Sequence, residues 1–373
     1  MQRTSTILAI AGMWAALAWG CTGSLGRVDD GEPRGEPGPG EGEGGEGSEG
    51  GEGGEGGEGG EGGEGGEGGE GGEGGEGGEG GEGGEGGEGG EGGPTGSPTD
   101  LPRKTPYALS VRQIHSGHSL TDPLFHPWPG QYVYLLHNHL GAPFDNIAKS
   151  TIPGSPLRWR WDHDHETRPS ARHDIRNWEL LVITEGVPLH YEGGGSEGWY
   201  LTGIQDQRRY LSLYVNNAWT HGNGGRGAPT LLWTTWTNID DSDGPWRQLL
   251  DVYGAEWERM QDHANANRPA GATPVYIIPG HRMMARLYDD IRAGRVPGIT
   301  NISQFFSDTI HLNDLGAYAM AMIHYACLFH RSPVGLPANL FGTSSGTRPS
   351  AALAEYLQTM IWDVVTNYPR AGL

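Results

Sequence analysis

Beyond about residue 101, apolar residues cluster in short runs that are separated by polar stretches. Three of these runs are near-continuous, as in the strands of a parallel sheet that is covered on both faces, and a fourth run also indicates a strand. They predict strands at 107–114, 178–184, 230–236 and 273–279.

Other segments place apolar residues three and four positions apart, which is the spacing of an amphipathic helix. One of them begins after Asn313, a residue type that favours the N-cap position. Strands that alternate with helices predict an α/β fold, a three-layer α/β/α sandwich on a parallel sheet. The predicted helices are 246–266, 281–294, 313–329 and 349–367.

The chain begins with a short apolar segment. Residues 1–20 contain one basic residue followed by small and apolar residues, which predicts a signal peptide. The segment runs into Leu-Ala-Trp-Gly-Cys and looks like a bacterial lipoprotein signal, which implies that Cys21 is lipidated. Lipid chains on Cys21 would anchor the protein to a membrane of the cell envelope without a spanning helix. Ordinary secretion and a short membrane anchor are the alternatives.

Residues 21–100 predict a disordered linker. Gly-Gly-Glu triplets dominate positions 40–93 and offer no apolar side chain to offset the entropy of ordering. Residues 1–100 contain 23 of the 47 acidic residues but only three of the 25 basic ones, so they hold most of the formal net charge of −22. Residues 101–373, the predicted domain, are nearly balanced in charge, which gives no support for nucleic-acid binding.

One serine stands out in the segment IHSGHSLTD, which follows the first predicted strand. This is Ser119. A serine nucleophile needs a base within hydrogen-bond reach and a group that orients the base. Asp308 and His311 are three residues apart, so a helix-like turn puts both side chains on one face. Because α/β folds place their sites on loops at one edge of the sheet, we predict that the three residues meet there.

The sequence Gly-His-Ser-Leu at 117–120, together with Asp308-x-x-His311, resembles the SGNH (GDSL-type) hydrolase superfamily. The resemblance covers nearly all of residues 105–330. It implies a flavodoxin-like α/β fold and an esterase activity that needs no cofactor and no metal. It also implies that Ser119 is the nucleophile, with Asp308 and His311 as its catalytic partners.

The same resemblance suggests residues for the oxyanion hole. In the family's second block a glycine donates its N–H to the oxyanion, and Gly154 matches that glycine by its order in the chain. The third block is normally Gly-x-Asn-Asp, whereas this chain reads VITEGVP, with Thr184 and Glu185 instead of the usual Asn donor. His118 stands where the family usually has Asp and is a candidate wall of the pocket. The candidate oxyanion or substrate-binding residues are therefore Gly154, His118 and Glu185.

The predicted function is that of a secreted or surface-tethered serine esterase, with O-acetyl groups on glycans as the leading substrate. Its expected partners are a small-molecule or polysaccharide ester and, through the lipid anchor, a membrane. A metal-dependent hydrolase is one alternative. It would use His163 and His165, two residues apart on one strand face, and His137 and His139 repeat that spacing. The other alternative is a non-catalytic carbohydrate-binding or adhesion module with the same fold.

Overall fold

The computed structural model describes the chain from residue 101 onwards, with four gaps. The predicted signal peptide, the lipidation site Cys21 and the Gly-Gly-Glu linker lie outside the described residues, so they remain predictions. The described ranges are 101–123, 129–189, 203–241, 245–340 and 348–373.

A parallel five-stranded sheet forms the centre of the domain. Its strands are β1 (Gln113–Gly117), β2 (Ile147–Thr151), β3 (Leu180–Ile183), β4 (Thr230–Trp233) and β5 (Tyr276–Ile278). They lie in the order β2-β1-β3-β4-β5, and every neighbouring pair is parallel. This is the strand order of flavodoxin-like doubly wound folds, whose order reverses between β1 and β3.

Seven α-helices connect and cover these strands within the described residues. The backbone of the third helix leaves helical angles at Gly222–Gly224, so its regular part ends there. The helices are α1 (Pro129–His139), α2 (Leu157–Asp162), α3 (Ile204–Gly225), α4 (Trp246–Ala266), α5 (Gly280–Arg292), α6 (Asp314–Phe329) and α7 (Ala351–Thr366). None of the helices in the described part of the chain is long and apolar enough to cross a membrane.

Helices lie on both faces of the sheet, as β1 demonstrates. The ring of His115 lies 5.4 Å from that of His324 on α6, measured between centroids. The next residue, Ser116, accepts a hydrogen bond at 3.2 Å from Nε of Arg160 on α2. Because consecutive strand residues point to opposite faces, α6 and α2 cover opposite sides. The predicted three-layer α/β/α architecture is confirmed.

A cluster of histidines fills the core on the α6 side of the sheet. It consists of His115 on β1, His137 on α1 and His324 on α6, all at most 1% exposed. His137 and His324 lie 5.6 Å apart between ring centroids. Nε2 of His115 is within 2.9 Å of Oε1 of Gln113, but no described residue bonds to the nitrogens of His137 or His324. These rings are therefore buried in their neutral form.

Two of the predicted elements need correction. Residues 107–112 are not part of a strand, because the N–H of Val111 bonds to the carbonyl of Ala108 at 3.0 Å and closes a turn. The segment around Trp159 and Trp161, which the metal alternative takes as a strand, is the helix α2 followed by a short 3-10 helix at 164–166.

Candidate active site

The predicted site residues follow the carboxyl ends of neighbouring strands. Ser119 comes two residues after β1, Gly154 three residues after β2, and Glu185 two residues after β3. Because these strands are parallel, their carboxyl ends meet at one edge of the sheet. His311 reaches the same edge from the loop that precedes α6.

A tight turn positions Ser119 just after the end of β1. The N–H of Thr121 bonds to the carbonyl of His118 at 3.0 Å and closes this turn. A Cβ atom at Gly117 would overlap Oγ1 of Thr121, so glycine is needed at the point where the strand bends. The serine side chain is 7% exposed and faces the loop that carries His311.

Ser119, His311 and Asp308 form a continuous chain of hydrogen bonds. Oγ of Ser119 lies 2.8 Å from Nε2 of His311, and Nδ1 of His311 lies 2.7 Å from Oδ2 of Asp308. With the carboxylate accepting from Nδ1–H, Nε2 is left as an acceptor for the serine O–H. The structure thus brings together the three residues that the sequence singled out.

The carboxyl group of Asp308 also shapes its own loop. Oδ1 accepts hydrogen bonds from the backbone N–H groups of Ile310, at 2.8 Å, and His311, at 2.6 Å. Partial burial raises the pKa of Asp308, but the bonds from His311 and Ile310 outweigh it and hold the pKa below its usual range. Asp308 therefore stays ionised at neutral pH while it orients the imidazole.

The loop after β4 supports the loop of His311, and the sequence reasoning missed it. Nε1 of Trp236 donates to the carbonyl of Ile310 at 2.8 Å, and the N–H of Ile239 donates to the carbonyl of Thr309 at 2.7 Å. On the other side, Asn313 caps α6 by accepting from the amides of the first helical turn, as predicted. The apolar pattern of the β4 segment does not indicate that Trp236 reaches the site.

A pocket of about 400 Å³ opens at Ser119. The apolar side chains of Leu120, Val187 and Ile310 form part of its walls, and predicted residues Gly154 and His118 also line it. The complete lining consists of His118, Ser119, Leu120, Pro153, Gly154, Gly186, Val187, Ile310 and His311. A partly apolar pocket with a few polar groups suits a small organic ligand.

Two backbone amides that border the pocket have no acceptor among the described residues. No described residue accepts a hydrogen bond from the N–H of Ser119 or from that of Gly154. Gly154 has a φ of 68°, a left-handed conformation that favours glycine. Such unpaired amides are the donors that an oxyanion requires.

His118 lines the pocket without a free nitrogen. Its Nε2 donates to the carbonyl of Glu185 at 2.9 Å, and the N–H of Leu120 lies 3.4 Å from its Nδ1. Burial, together with the nearby charge of Arg160, lowers the pKa of His118 to about 3, so the ring is neutral. The arrangement makes His118 part of the wall rather than a second base for Ser119.

The carboxyl group of Glu185 lies behind the pocket wall, not in it. It is fully buried, and its Oε1 accepts from the N–H groups of Leu157, at 2.8 Å, and Gly186, at 2.6 Å. Burial raises the pKa of Glu185 to about 7. This carboxyl group therefore contacts the loops that line the pocket instead of the space that a substrate would occupy.

The histidine pairs of the metal alternative do not share a strand face. His163 follows α2 and stacks on Trp159 at 3.6 Å between ring centroids, and His165 belongs to the 3-10 helix. His137 and His139 lie on α1, the first buried and the second exposed. In the part of the chain that the structure describes, no group of three or more His, Cys, Asp or Glu side chains is arranged to hold a metal ion.

Comparisons with known proteins give distant similarities in structure only. No protein-family model matches the chain, and no curated protein matches its sequence. A DUF4886 family protein from Bacteroides uniformis is 14% identical, with a TM-score of 0.47, over 69% of this chain and 95% of that chain. TesA is 16% identical, with a TM-score of 0.31, over 57% of this chain and 95% of that chain.

A third solved structure is a two-domain esterase active on acetylated mannans, which was co-crystallised with mannopentaose. It is 13% identical, with a TM-score of 0.34, over 65% of this chain and 54% of that chain. At these scores the similarity assigns no activity, so the function has to be argued from this chain's own site.

Proposed function

We propose that this protein is a serine esterase of the SGNH type that hydrolyses esters through an acyl-enzyme on Ser119. The observation that carries the proposal is the chain of hydrogen bonds from Ser119 through His311 to Asp308. A serine, a base and an orienting carboxylate within hydrogen-bond distance are the parts that nucleophilic acyl transfer requires.

The proposed reaction has two halves. Nε2 of His311 takes the proton of Ser119, whose Oγ attacks the ester carbonyl carbon. The N–H groups of Ser119 and Gly154 stabilise the negative oxygen of the tetrahedral intermediate. The intermediate collapses, and the alcohol leaves with the proton from His311. Water then attacks the acyl-enzyme, with His311 again as the base, and releases the carboxylic acid and the free serine.

Small acyl groups are the first substrates to test. The apolar walls formed by Leu120, Val187 and Ile310 stand beside Ser119 in a pocket of about 400 Å³. Within this class we propose O-acetyl groups on glycans, since a protein that is secreted and attached to the cell envelope through Cys21 would meet them. Secretion, the lipid anchor and the glycan are parts of this proposal.

The test is hydrolysis of p-nitrophenyl acetate by the full chain, beside Ser119→Ala and a sample treated with EDTA. We expect hydrolysis in the wild type and after EDTA, and loss of at least about a thousandfold in Ser119→Ala. Ser212→Ala is the matched control, because Ser212 lies on α3 and bonds to the carbonyl of Arg208.

A second measurement covers the case in which the natural ester is different. A fluorophosphonate should label the wild type once, at Ser119, and should not label Ser119→Ala. Loss of activity with EDTA alone would favour the metal alternative. Absence of both labelling and hydrolysis, together with binding of glycans, would favour the non-catalytic carbohydrate-binding module.

A further inference from the structure

Two opposite charges are buried behind the wall of the pocket. Glu185, after β3, is 0% exposed, and Arg160, on α2, is 2% exposed. Neither side chain lines the pocket, and the proposed reaction uses neither. Because burying ionised groups is costly unless they are well paired, two such groups beside a site require a physical reason.

Glu185 joins two of the loops that form the pocket. Its Oε1 accepts from the N–H of Leu157, where the loop after β2 meets α2, and from the N–H of Gly186, in the loop after β3. Its backbone carbonyl also accepts from His118, in the loop after β1. A Cβ atom at Gly186 would lie 3.2 Å from Cα of Pro156, so the two loops are in close contact at this point.

Arg160 joins the same loops from the opposite side. Its Nη1 donates to the carbonyl of Ser155 and, at 3.1 Å, to the hydroxyl of Ser155, while its Nη2 donates to the carbonyl of Thr184. Its Nε donates to Oγ of Ser116 on β1. The guanidinium and the carboxylate together hold the ends of β1, β2 and β3.

We propose that Glu185 and Arg160 are positioning residues, which fix the segments of Gly154 and of Gly186 and Val187 relative to Ser119. This inference rests on the proposed function. The oxyanion donors of the proposed site are backbone amides, and the position of a backbone amide depends on the loop that contains it. The two buried side chains would therefore position the oxyanion hole, as the Asp308 carboxylate positions the imidazole.

The charge of Glu185 makes this positioning sensitive to pH. Burial raises its pKa to about 7, against the opposing effects of Arg160, of the amides of Leu157 and Gly186, and of Arg158. The charged carboxylate is therefore present above about pH 7 and is lost below it. Since the neutral acid holds Arg160 and the two amides less strongly, we expect the site to loosen as the pH falls.

The experiment compares the wild type with Glu185→Gln, a variant of the same size that cannot be charged. We expect kcat to fall roughly 10- to 100-fold, because small displacements of catalytic groups are that costly, and KM to change little. The acid limb of the kcat/KM profile should also change. In the wild type the loss of the Glu185 charge below about pH 7 should steepen this limb, and in the variant the limb should be less steep.

Glu256→Gln is the matched control. Glu256 is also buried, but it lies on α4, and its carboxylate bonds to Arg208 and Arg259 instead of to the loops of the pocket. Its variant should keep the wild-type kcat and the wild-type slope. A wild-type kcat and acid slope in Glu185→Gln would overturn the inference, whereas equal activity of Ser119→Ala and the wild type would overturn the proposed function instead.

Hydrogen exchange tests the positioning without any substrate. The amides of Leu157 and Gly186 should be protected in the wild type at about pH 8 and should lose much of this protection in Glu185→Gln. If that variant does not fold, the wild type serves alone, and the protection factors of both amides should fall between about pH 8 and pH 6. Protection that changes with neither the substitution nor the pH would overturn the inference.

Discussion

At the scale of single residues, the two carboxylate oxygens of Asp308 have different roles. Oδ1 holds the backbone of the loop, and Oδ2 orients His311. In Asp308→Asn the side-chain carbonyl can still accept hydrogen bonds from the loop, but the amide NH₂ cannot accept a hydrogen bond from Nδ1–H. The imidazole would then present Nε2–H to Ser119 and could not act as its base.

We therefore expect Asp308→Asn to lower kcat by about 10³- to 10⁴-fold, with little change in the melting temperature. Steady-state hydrolysis and a thermal melt of the same samples measure the two effects. Asp251→Asn is the control, since Asp251 is an exposed residue of α4 that pairs with Arg247. A large loss of stability in Asp308→Asn would mean that the loop, not the imidazole, depends on the charge.

Gly117 gives a second prediction at this scale. In Gly117→Ala the new Cβ atom would overlap Oγ1 of Thr121, so Thr121, which belongs to the turn that carries Ser119, has to shift. We expect kcat/KM to fall about tenfold or more. Thr121→Ala removes the overlapping atom, which has no partner among the described residues, so the double variant should recover most of the activity. No recovery would mean that the turn fails for a different reason.

The sequence could predict the residues of the proposed triad, but not their supports. Ser119, Asp308 and His311 could be predicted because the motif of Ser119 follows a predicted strand and the motif of Asp308 and His311 precedes a predicted helix. Trp236 and Arg160 could not be predicted, because they reach the site through contacts between segments that are distant in the sequence. The sequence does not show which backbone amides are free to donate. For the amide of Gly154, the presence of a glycine is the one indication in the sequence.

At the scale of secondary-structure elements, the hydrophobic pattern predicts an element well where the apolar spacing is regular. The helices α4 and α6 match the predictions 246–266 and 313–329 closely, because their apolar spacing is regular and Asn313 caps the second. Strand β2 was missed because it contains Lys149 and two hydroxyl residues, as suits the edge of a sheet. The metal alternative puts His163 and His165 on a strand, whereas His163 follows the helix α2 and His165 lies in a short 3-10 helix.

The histidine cluster of His115, His137 and His324 couples three elements to pH. Burial lowers the pKa of His115 to about 3 and that of His137 to about 4, and it lowers the pKa of His324 well below its usual value. In the unfolded chain these histidines have their ordinary pKa of 6.5. Below that pH the unfolded chain binds protons that the folded chain does not, so the folded state loses stability as the pH falls.

We expect the free energy of unfolding to decrease between about pH 6.5 and pH 4, on the order of 3 kcal/mol for each of His115 and His137, with a further decrease from His324. Urea unfolding at several pH values measures this decrease. His137→Leu should reduce it, while His139→Leu, at an exposed position of the same helix, should not. An equal decrease in the wild type and in His137→Leu would show that other groups cause the acid sensitivity.

At the scale of the whole molecule, every group of the proposed site lies between residues 101 and 373. The sheet, its helices and the four loops of the pocket all belong to this range. We expect a chain that begins at Leu101 to hydrolyse p-nitrophenyl acetate with the kcat/KM of the full chain, within about twofold. Parallel assays of the two proteins at equal active-site concentration measure this. A much lower value would mean that the acidic segment contributes to the site.

The hydrogen bond between Ser119 and His311 spans 192 positions of the chain. During translation the serine emerges long before the residue that would activate it, and the sheet that aligns them needs β5 as well. We therefore expect the growing polypeptide to be inert towards esters in the cell that makes it. A chain could attack them only after His311 has been made and has folded against the end of β1, so the start of its activity would depend on how far synthesis has gone.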